Sequence, residues 1–432
     1  MISEIKDVFD KINKDRYVIG YDLNNEFAQI SYCKIDSTEP ETLSVVAGQD
    51  MYNIPAAVCK RTSTGAWIYG KEAIKAGEEG DGAVLKNLLS KAVAGQNVSV
   101  GPDEYRAEDL LLLFVKRCFS LLPVMTTPDK VAQIFITVRE AGADTIRILQ
   151  KIPEKLRINP DKVHFINYEE SFYYYMMYQP KELKNNQILL CDTSEKVLNV
   201  YRLEKNKFSN PPAVAVERQE FEEFSFKEDS MFGRDDRDRD FLKIVTALCE
   251  KNIFSGVFLI GEGFYDDWCV ESLKFLCKNR RVFKGNNLFS KGACIAAREA
   301  VNPSEVSKNT RFLGTDRVKA TVGVKASDGS KEEYLKLIET GSHWYESGNA
   351  IEVLLKEEDI LPIWIEKISS RGMAVADFKL EGLNVKPGVI TRVSVSLKMK
   401  NESIAEIKVK DLGFGNFFPS SGLEWTEEMD LS

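Results

Sequence analysis

The sequence predicts an α/β protein with two related lobes around a cleft, followed by an antiparallel β-sandwich. Three observations carry this reading. A strand, hairpin and helix order runs from Tyr17 and restarts at Gln187. In both passes the leading apolar strand ends at an acid, Asp22 in the first and Asp192 in the second. After about residue 312 the pattern switches to strict alternation: Val318, Ala320, Val322 and Val324 interleave with Lys319, Thr321, Gly323 and Lys325. Alternation of this kind marks sheets with one wet face.

The elements follow in order. Ile2, Ile5, Val8, Phe9 and Ile12 lie at helical spacing and predict an amphipathic helix within residues 1–16. Strands are expected over Tyr17–Asp22, Phe27–Ile35, Ile54–Val58 and Ala66–Tyr69, then helices at Lys71–Ala76, Ala83–Ala94 and Leu110–Leu122. Val131–Val138 and Val163–Ile166 read as buried strands, and Ser171–Tyr178 as a buried helix. The second pass holds strands at Gln187–Asp192, Val197–Leu203, Ala213–Val216 and Gly256–Gly261, with helices at Phe241–Leu248, Trp268–Cys277 and Lys291–Val301. The Asp/Arg alternation at 235–240 reads as a solvated loop, and Cys269 with Cys277 as one core face. The expected boundaries are 17–185 and 186–312 for the lobes, 313–418 for the sandwich and 419–432 for an acidic tail.

Composition removes several function classes. The 432 residues carry a net charge of -8, which argues against a nucleic-acid partner, because such binding needs a basic face. Only two histidines occur, His164 and His343, so His-based zinc sites and Ser-His-Asp triads are not expected. The eight cysteines form no CxxC pair and sit mostly in apolar runs, as expected for a reducing, cytoplasmic setting. No apolar run approaches the roughly 18 residues of a membrane span.

Short segments then point to a family. Ile19-Gly-Tyr-Asp-Leu-Asn-Asn-Glu26 is similar to the first phosphate-binding turn of actin-like ATPases, and Leu190-Cys-Asp-Thr-Ser-Glu-Lys-Val197 to their second. Leu259-Ile-Gly-Glu-Gly-Phe264 resembles their adenosine turn, and Lys291-Gly-Ala-Cys-Ile-Ala-Ala297 the helix that follows it. Within that superfamily the chain resembles DnaK-type heat-shock chaperones. Asp377-Phe-Lys-Leu-Glu-Gly-Leu383, Pro387-Gly-Val-Ile-Thr-Arg-Val393 and Glu406-Ile-Lys-Val-Lys-Asp-Leu-Gly413 are similar to their peptide-binding sandwich in order and spacing.

The resemblance implies a set of cleft residues. Asp22 and Asp192 would hold a magnesium-water shell, and Lys86 would face the γ-phosphate. Asn24, Asn25, Ser194, Gly261 and Gly263 would line the nucleotide. An active ATPase would place its catalysis on Asp22, Lys86 and Asp192. The departures are large. Asn24, Asn25 and Glu26 replace glycine and hydroxyl residues, and Ser194, Glu195 and Lys196 replace consecutive glycines. Glycine matters at such turns because a side chain blocks close backbone approach to phosphate. Tyr168 stands where a first-lobe glutamate is expected, with Glu169 adjacent. About seventy residues separate Asp192 from Gly261, too few for the subdomain that clamps adenine in the family. The expectation is a DnaK-like binding or scaffold protein with an inactive nucleotide cleft, engaging a protein or peptide partner. The alternatives are an ATP- and magnesium-dependent chaperone-like ATPase and an actin-like assembly protein.

Overall fold

A computed structural model describes residues 16–46, 48–206, 212–222, 224, 231–327, 331–356, 358–367, 372–383, 388 and 390–432. The helix expected within 1–16, and part of the 387–393 segment, lie outside the described residues. The chain divides into two compact units, 1–312 and 313–432.

The first unit contains two sheets of the same design. In the first, β1 (Tyr17–Leu23), β2 (Phe27–Lys34), β3 (Glu41–Thr42), β4 (Val131–Val138) and β5 (Val163–Asn167) take the order β5-β4-β1-β2-β3. The second contains β6 (Gln187–Asp192), β7 (Leu198–Asn206), β8 (Ala213–Phe221), β9 (Phe254–Ile260) and β10 (Arg281–Gly285) in the order β10-β9-β6-β7-β8. In each sheet the leading strand pairs antiparallel with its hairpin partner and parallel with the strand on its other side. The next strand out is parallel again.

Two helices tie the sheets together. α1 (Tyr168–Met177) leaves the first sheet and buries Tyr168, Phe172, Tyr173 and Met176 against Ile188 and Leu190 of β6 and Tyr201 of β7. α2 (Leu288–Val301) follows the second sheet and packs Ala293, Cys294, Ala296 and Ala297 on Val18 of β1 and Phe135 of β4. Each helix thus covers the sheet it did not come from. The remaining face of the second sheet, Leu189, Cys191, Val257 and Leu259, meets Phe241, Val245 and Trp268.

The approach of α2 is very close. A β-carbon at Gly20 would collide with the backbone of Ser290 and Cys294, and one at Gly292 with the carbonyl of Ser171. Ser31 and Ser290 hydroxyls meet at 2.8 Å in the same seam.

Several expectations need correction. The helix expected over Ala83–Ala94 is a short strand, Val84–Leu85, and a helix, Leu88–Val93. Asn87 between them is left-handed (φ 57°), a conformation Asn tolerates better than most residues. The Asp/Arg stretch at 235–240 is not a loop but part of the helix Met231–Lys251. Its exposed charges pair three apart, Arg239 with Asp236 and Lys243 with Asp240. Asp238 turns inward and accepts the amides of Glu271 and Ser272 at the start of the helix Val270–Leu276. Cys269 is buried but Cys277 is exposed, because the helix ends at Leu276 and Cys277 lies past its packed face.

The second unit is built from two antiparallel four-stranded sheets. β11 (Ala320–Ser327), β12 (Glu332–Ile338), β14 (Ile360–Lys367) and β15 (Ala374–Lys379) form one, in the order β12-β11-β14-β15. β13 (Gly348–Lys356), β16 (Ile390–Met399), β17 (Ile404–Asp411) and β18 (Glu424–Asp430) form the other, in that order. The alternating Val393, Val395, Leu397 and Met399 are buried, as are Ala405, Ile407 and Val409 of the neighbouring strand. The segment 419–432 is not a loose acidic tail. Its residues 424–430 are the edge strand β18, where Lys408 meets Glu424 and Lys400 meets Glu428. Trp425 donates its indole N–H to the Glu381 carbonyl at 3.0 Å, and Leu431 is buried.

Gly292→Ala is expected to destabilise the chain by about 1–3 kcal/mol, because the added methyl meets backbone rather than a movable side chain. Gly285→Ala, with open space around its added carbon, is the matched control and should leave the urea midpoint within experimental scatter of the parent.

Candidate functional site

The two acid-ended strands bring their ends together at the junction of the sheets. Asp22 closes β1 and Asp192 closes β6; both are buried. The loops after them face one another. Asn24 folds its own turn, accepting the amides of Glu26 at 2.9 Å and Phe27 at 2.8 Å on Oδ1. On the other side, the amide of Ser194 donates back to Asp192 Oδ1 at 2.9 Å. Glu195 and Lys196 are both left-handed (φ 60° and 59°), which turns the loop sharply.

The decisive geometry is reciprocal. The amide of Asn25 donates to Glu195 Oε1 at 3.0 Å, and the amide of Glu195 donates to Glu26 Oε2 at 2.8 Å. Each turn therefore presents a backbone N–H to a carboxylate supplied by the other. Hydrogen bonds to an ionised acceptor are worth roughly 1.5–3 kcal/mol each.

Arg139 supplies the counter-charge. It follows β4 directly and reaches between the turns. Nη1 lies 2.8 Å from Glu195 Oε2, and Nη2 lies 3.6 Å from Asp192 Oδ2 and 3.2 Å from the Ser194 carbonyl. Its guanidinium also lies over the Tyr168 ring at 5.9 Å. Burial opposes the charge on Arg139, but Asp192 and the other groups around it hold the guanidinium firmly protonated. Tyr168, stacked on Phe289 at 3.8 Å between centroids, donates its hydroxyl to Asp22 Oδ1 at 2.7 Å and accepts from Asn24 Nδ2 at 3.3 Å.

Burial pushes the Asp22 carboxyl up to about 8; the Tyr168 hydroxyl pulls it down and the Asp192 charge adds to the rise. Asp192 is likewise raised by burial, against the pull of Arg139. Glu26 is raised, again mainly by burial, with the Glu195 amide opposing.

The other expected residues divide. Gly261 stands at the junction with φ 94°, and a β-carbon there would collide with the Thr193 and Ser194 backbone. Its bareness serves the packing of β9 against the Asp192 turn. Gly263 accepts the Trp268 indole N–H at 2.5 Å on its carbonyl. Lys86 is exposed beyond Val84–Leu85 and is not part of the buried charge cluster. The helix Leu88–Val93 that follows it reaches the junction through the Ser90 amide, which donates to Asn25 Oδ1 at 2.9 Å. Glu262 accepts from Asn53 at 3.0 Å. Arg139 was not among the expected residues. Its signal was available: it sits at the end of a buried strand, as Asp22 and Asp192 do.

A family model described as "Family of unknown function (DUF5716) C-terminal" matches residues 39–315. The chain belongs to this family. A second model, "Domain of unknown function (DUF8552)", matches residues 317–431, which lie in the second unit. No curated protein matches the chain. The DUF5716 match includes Arg139, Tyr168, Asp192 and Glu195 but begins after Asp22 and Glu26.

Two measurements probe this charge cluster. Because the folded-state pKa of Asp22 lies above its ordinary value of 3.8, at about 8, the folded chain holds a proton that the unfolded chain releases across that window. The associated stability is fully present below 3.8 and is lost as pH rises through about 8. The urea midpoint should therefore fall across this range, and Asp22→Asn should flatten the slope. Arg139→Leu, which strands Asp192 and Glu195, should cost about 3–5 kcal/mol in the same unfolding measurement.

Proposed function

We propose that this chain is a DnaK-like binding or scaffold protein of the actin-like superfamily, whose nucleotide cleft is closed by its own side chains. The repeated strand order of the two sheets and the exchange of α1 and α2 between them support the two-lobed assignment. Among the described residues, one hairpin and one long helix stand between Asp192 and β9, which supports a second lobe without an adenine clamp.

One observation carries the functional half. The amides of Asn25 and Glu195, which would face phosphate in an active relative, are taken by Glu195 and Glu26. These carboxylates act as internal stand-ins for phosphate oxygens. The residues do not fit a magnesium-nucleotide. Arg139 lies beside Asp192, where a hydrated cation would need an unpaired carboxylate, and Asp22 is engaged by Tyr168. A nucleotide would also bring negative charge beside Glu26, Glu195 and Asp192, with repulsion of order 1–4 kcal/mol per close pair at intermediate dielectric. With the junction closed, the remaining surface, including the sandwich, is where a protein or peptide partner would be engaged.

Isothermal titration with Mg-ATP and with Mg-ADP tests this reading. The expected result is no heat of binding at millimolar nucleotide. Magnesium-dependent binding with micromolar affinity, lost in Asp192→Asn, would overturn it in favour of an ATP-dependent chaperone-like ATPase.

A further inference from the structure

A cavity on the opposite side of the second sheet from the helix Met231–Lys251 is unaccounted for by the closed junction. It encloses about 350 Å³ between α1, the edges of β6 to β8 and the chain near Val306. The lumen is apolar: Tyr173, Met176 and Met177 from α1 face Ile188, Leu203 and Val214 from the sheet. The mouth carries three lysines, Lys181, Lys184 and Lys205, with Asn185 and Asn186 beside them. Among the described residues, no ion pair joins these lysines to a carboxylate. Lys184 donates one N–H to the Met177 carbonyl at 2.8 Å, and its amine is pushed down by partial burial and by Lys205 and Lys181. Three like charges around one apolar mouth repel one another until an anion arrives.

We propose that this cavity binds a small amphipathic carboxylate, such as a medium-chain fatty acid, with its chain in the lumen and its head group among the lysines. Size favours a small molecule over a protein segment. The volume sits at the low end of the roughly 300–1,000 Å³ range of ligand cavities, whereas a stable protein interface buries about 1,200–2,000 Å² in total. The two methionines suit a flexible chain, because their unbranched side chains adapt to irregular shapes. The lysines supply sign selectivity: a neutral or cationic head group of the same chain length gains nothing at the mouth. Lys181 and Lys205 are exposed and Lys184 half-buried, so none is needed to fill the core.

The test uses the full chain and three probes of equal chain length, the two ionic ones below their micelle concentrations and the alcohol below its solubility limit: sodium decanoate, decyltrimethylammonium and decanol. Decanoate should bind near one to one by titration calorimetry, at least tenfold more tightly than decanol, with no binding of the cation. Replacing all three lysines by Gln should weaken decanoate at least tenfold while leaving decanol binding and the thermal midpoint in place. Met176→Trp, which fills the lumen, should abolish binding of both. Equal affinity for decanoate and decanol, or unchanged decanoate binding in the triple Lys→Gln variant, would overturn the proposal. So would no decanoate binding by the parent chain.

Discussion

The seam between α2 and its two neighbours is the constraint on which the first unit depends. α2 comes from the second sheet yet lies on the first, and it does so at backbone distance. Gly20 on β1 and Gly292 on α2 leave no room for a β-carbon, and Ser290, Ala293 and Ala297 keep the rest of the interface small. α1 makes the complementary crossing, with Ser171 against Gly292 and its aromatic face on the second sheet. With both helices held this closely, the relative position of the sheets is fixed to within a side-chain contact. Only then can the turn after β1 and the turn after β6 meet with hydrogen bonds near 3 Å in both directions.

That fixed junction explains how so many acids tolerate burial. Asp22 and Asp192, buried, and Glu26 and Glu195, partly buried, bring up to four negative charges into one small volume, and the partly buried Arg139 answers Asp192 and Glu195. The balance is met by dividing labour. Burial favours the neutral form of Asp22 against the opposing pull of the Tyr168 hydroxyl, while Glu195 keeps an ion pair and an amide, and Asp192 is capped by its own turn. A buried ion pair is weak evidence of stability, because desolvation offsets much of the attraction. Removing Arg139 would leave the charges of Asp192 and Glu195 unanswered.

The sequence made the fold legible where periodicity and strand ends speak locally. Apolar runs ending at Asp22 and Asp192 located the two leading strands, and the alternation of Val318, Ala320, Val322 and Val324 marked the start of the antiparallel sheets of the second unit. The site was legible only in part. Glu26 and Glu195 read only as acids standing where the resemblance expects small residues. Their pairing with amides 169 and 170 residues away depends on the register of two sheets and cannot be read along the chain. Arg139 could have been singled out by its place at the end of a buried strand, but its partners Asp192 and Glu195 could not be read along the chain for the same reason. Of the helix over 231–251 only Phe241–Leu248 was legible, because the charges at 235–240 mask any apolar stripe in its first half. β18 escaped because an edge strand facing the Lys-rich β17 gains from acids rather than from alternating apolar residues.

A tethered carboxylate has a standing advantage over a dissolved phosphate. Its loss of translational freedom is already met by folding, so it competes for the same amides at a high effective concentration. A nucleotide would have to displace two charge-assisted hydrogen bonds, find room beside Tyr168 and Arg139, and then sit among acids left without partners. The lysine-rimmed cavity beside α1 presents the opposite condition, with apolar walls already formed and cations that no carboxylate among the described residues answers. The same helix thus has one end, at Tyr168, committed to closing the junction, and another, at Met176 and Met177, lining a space with unspent charge complementarity.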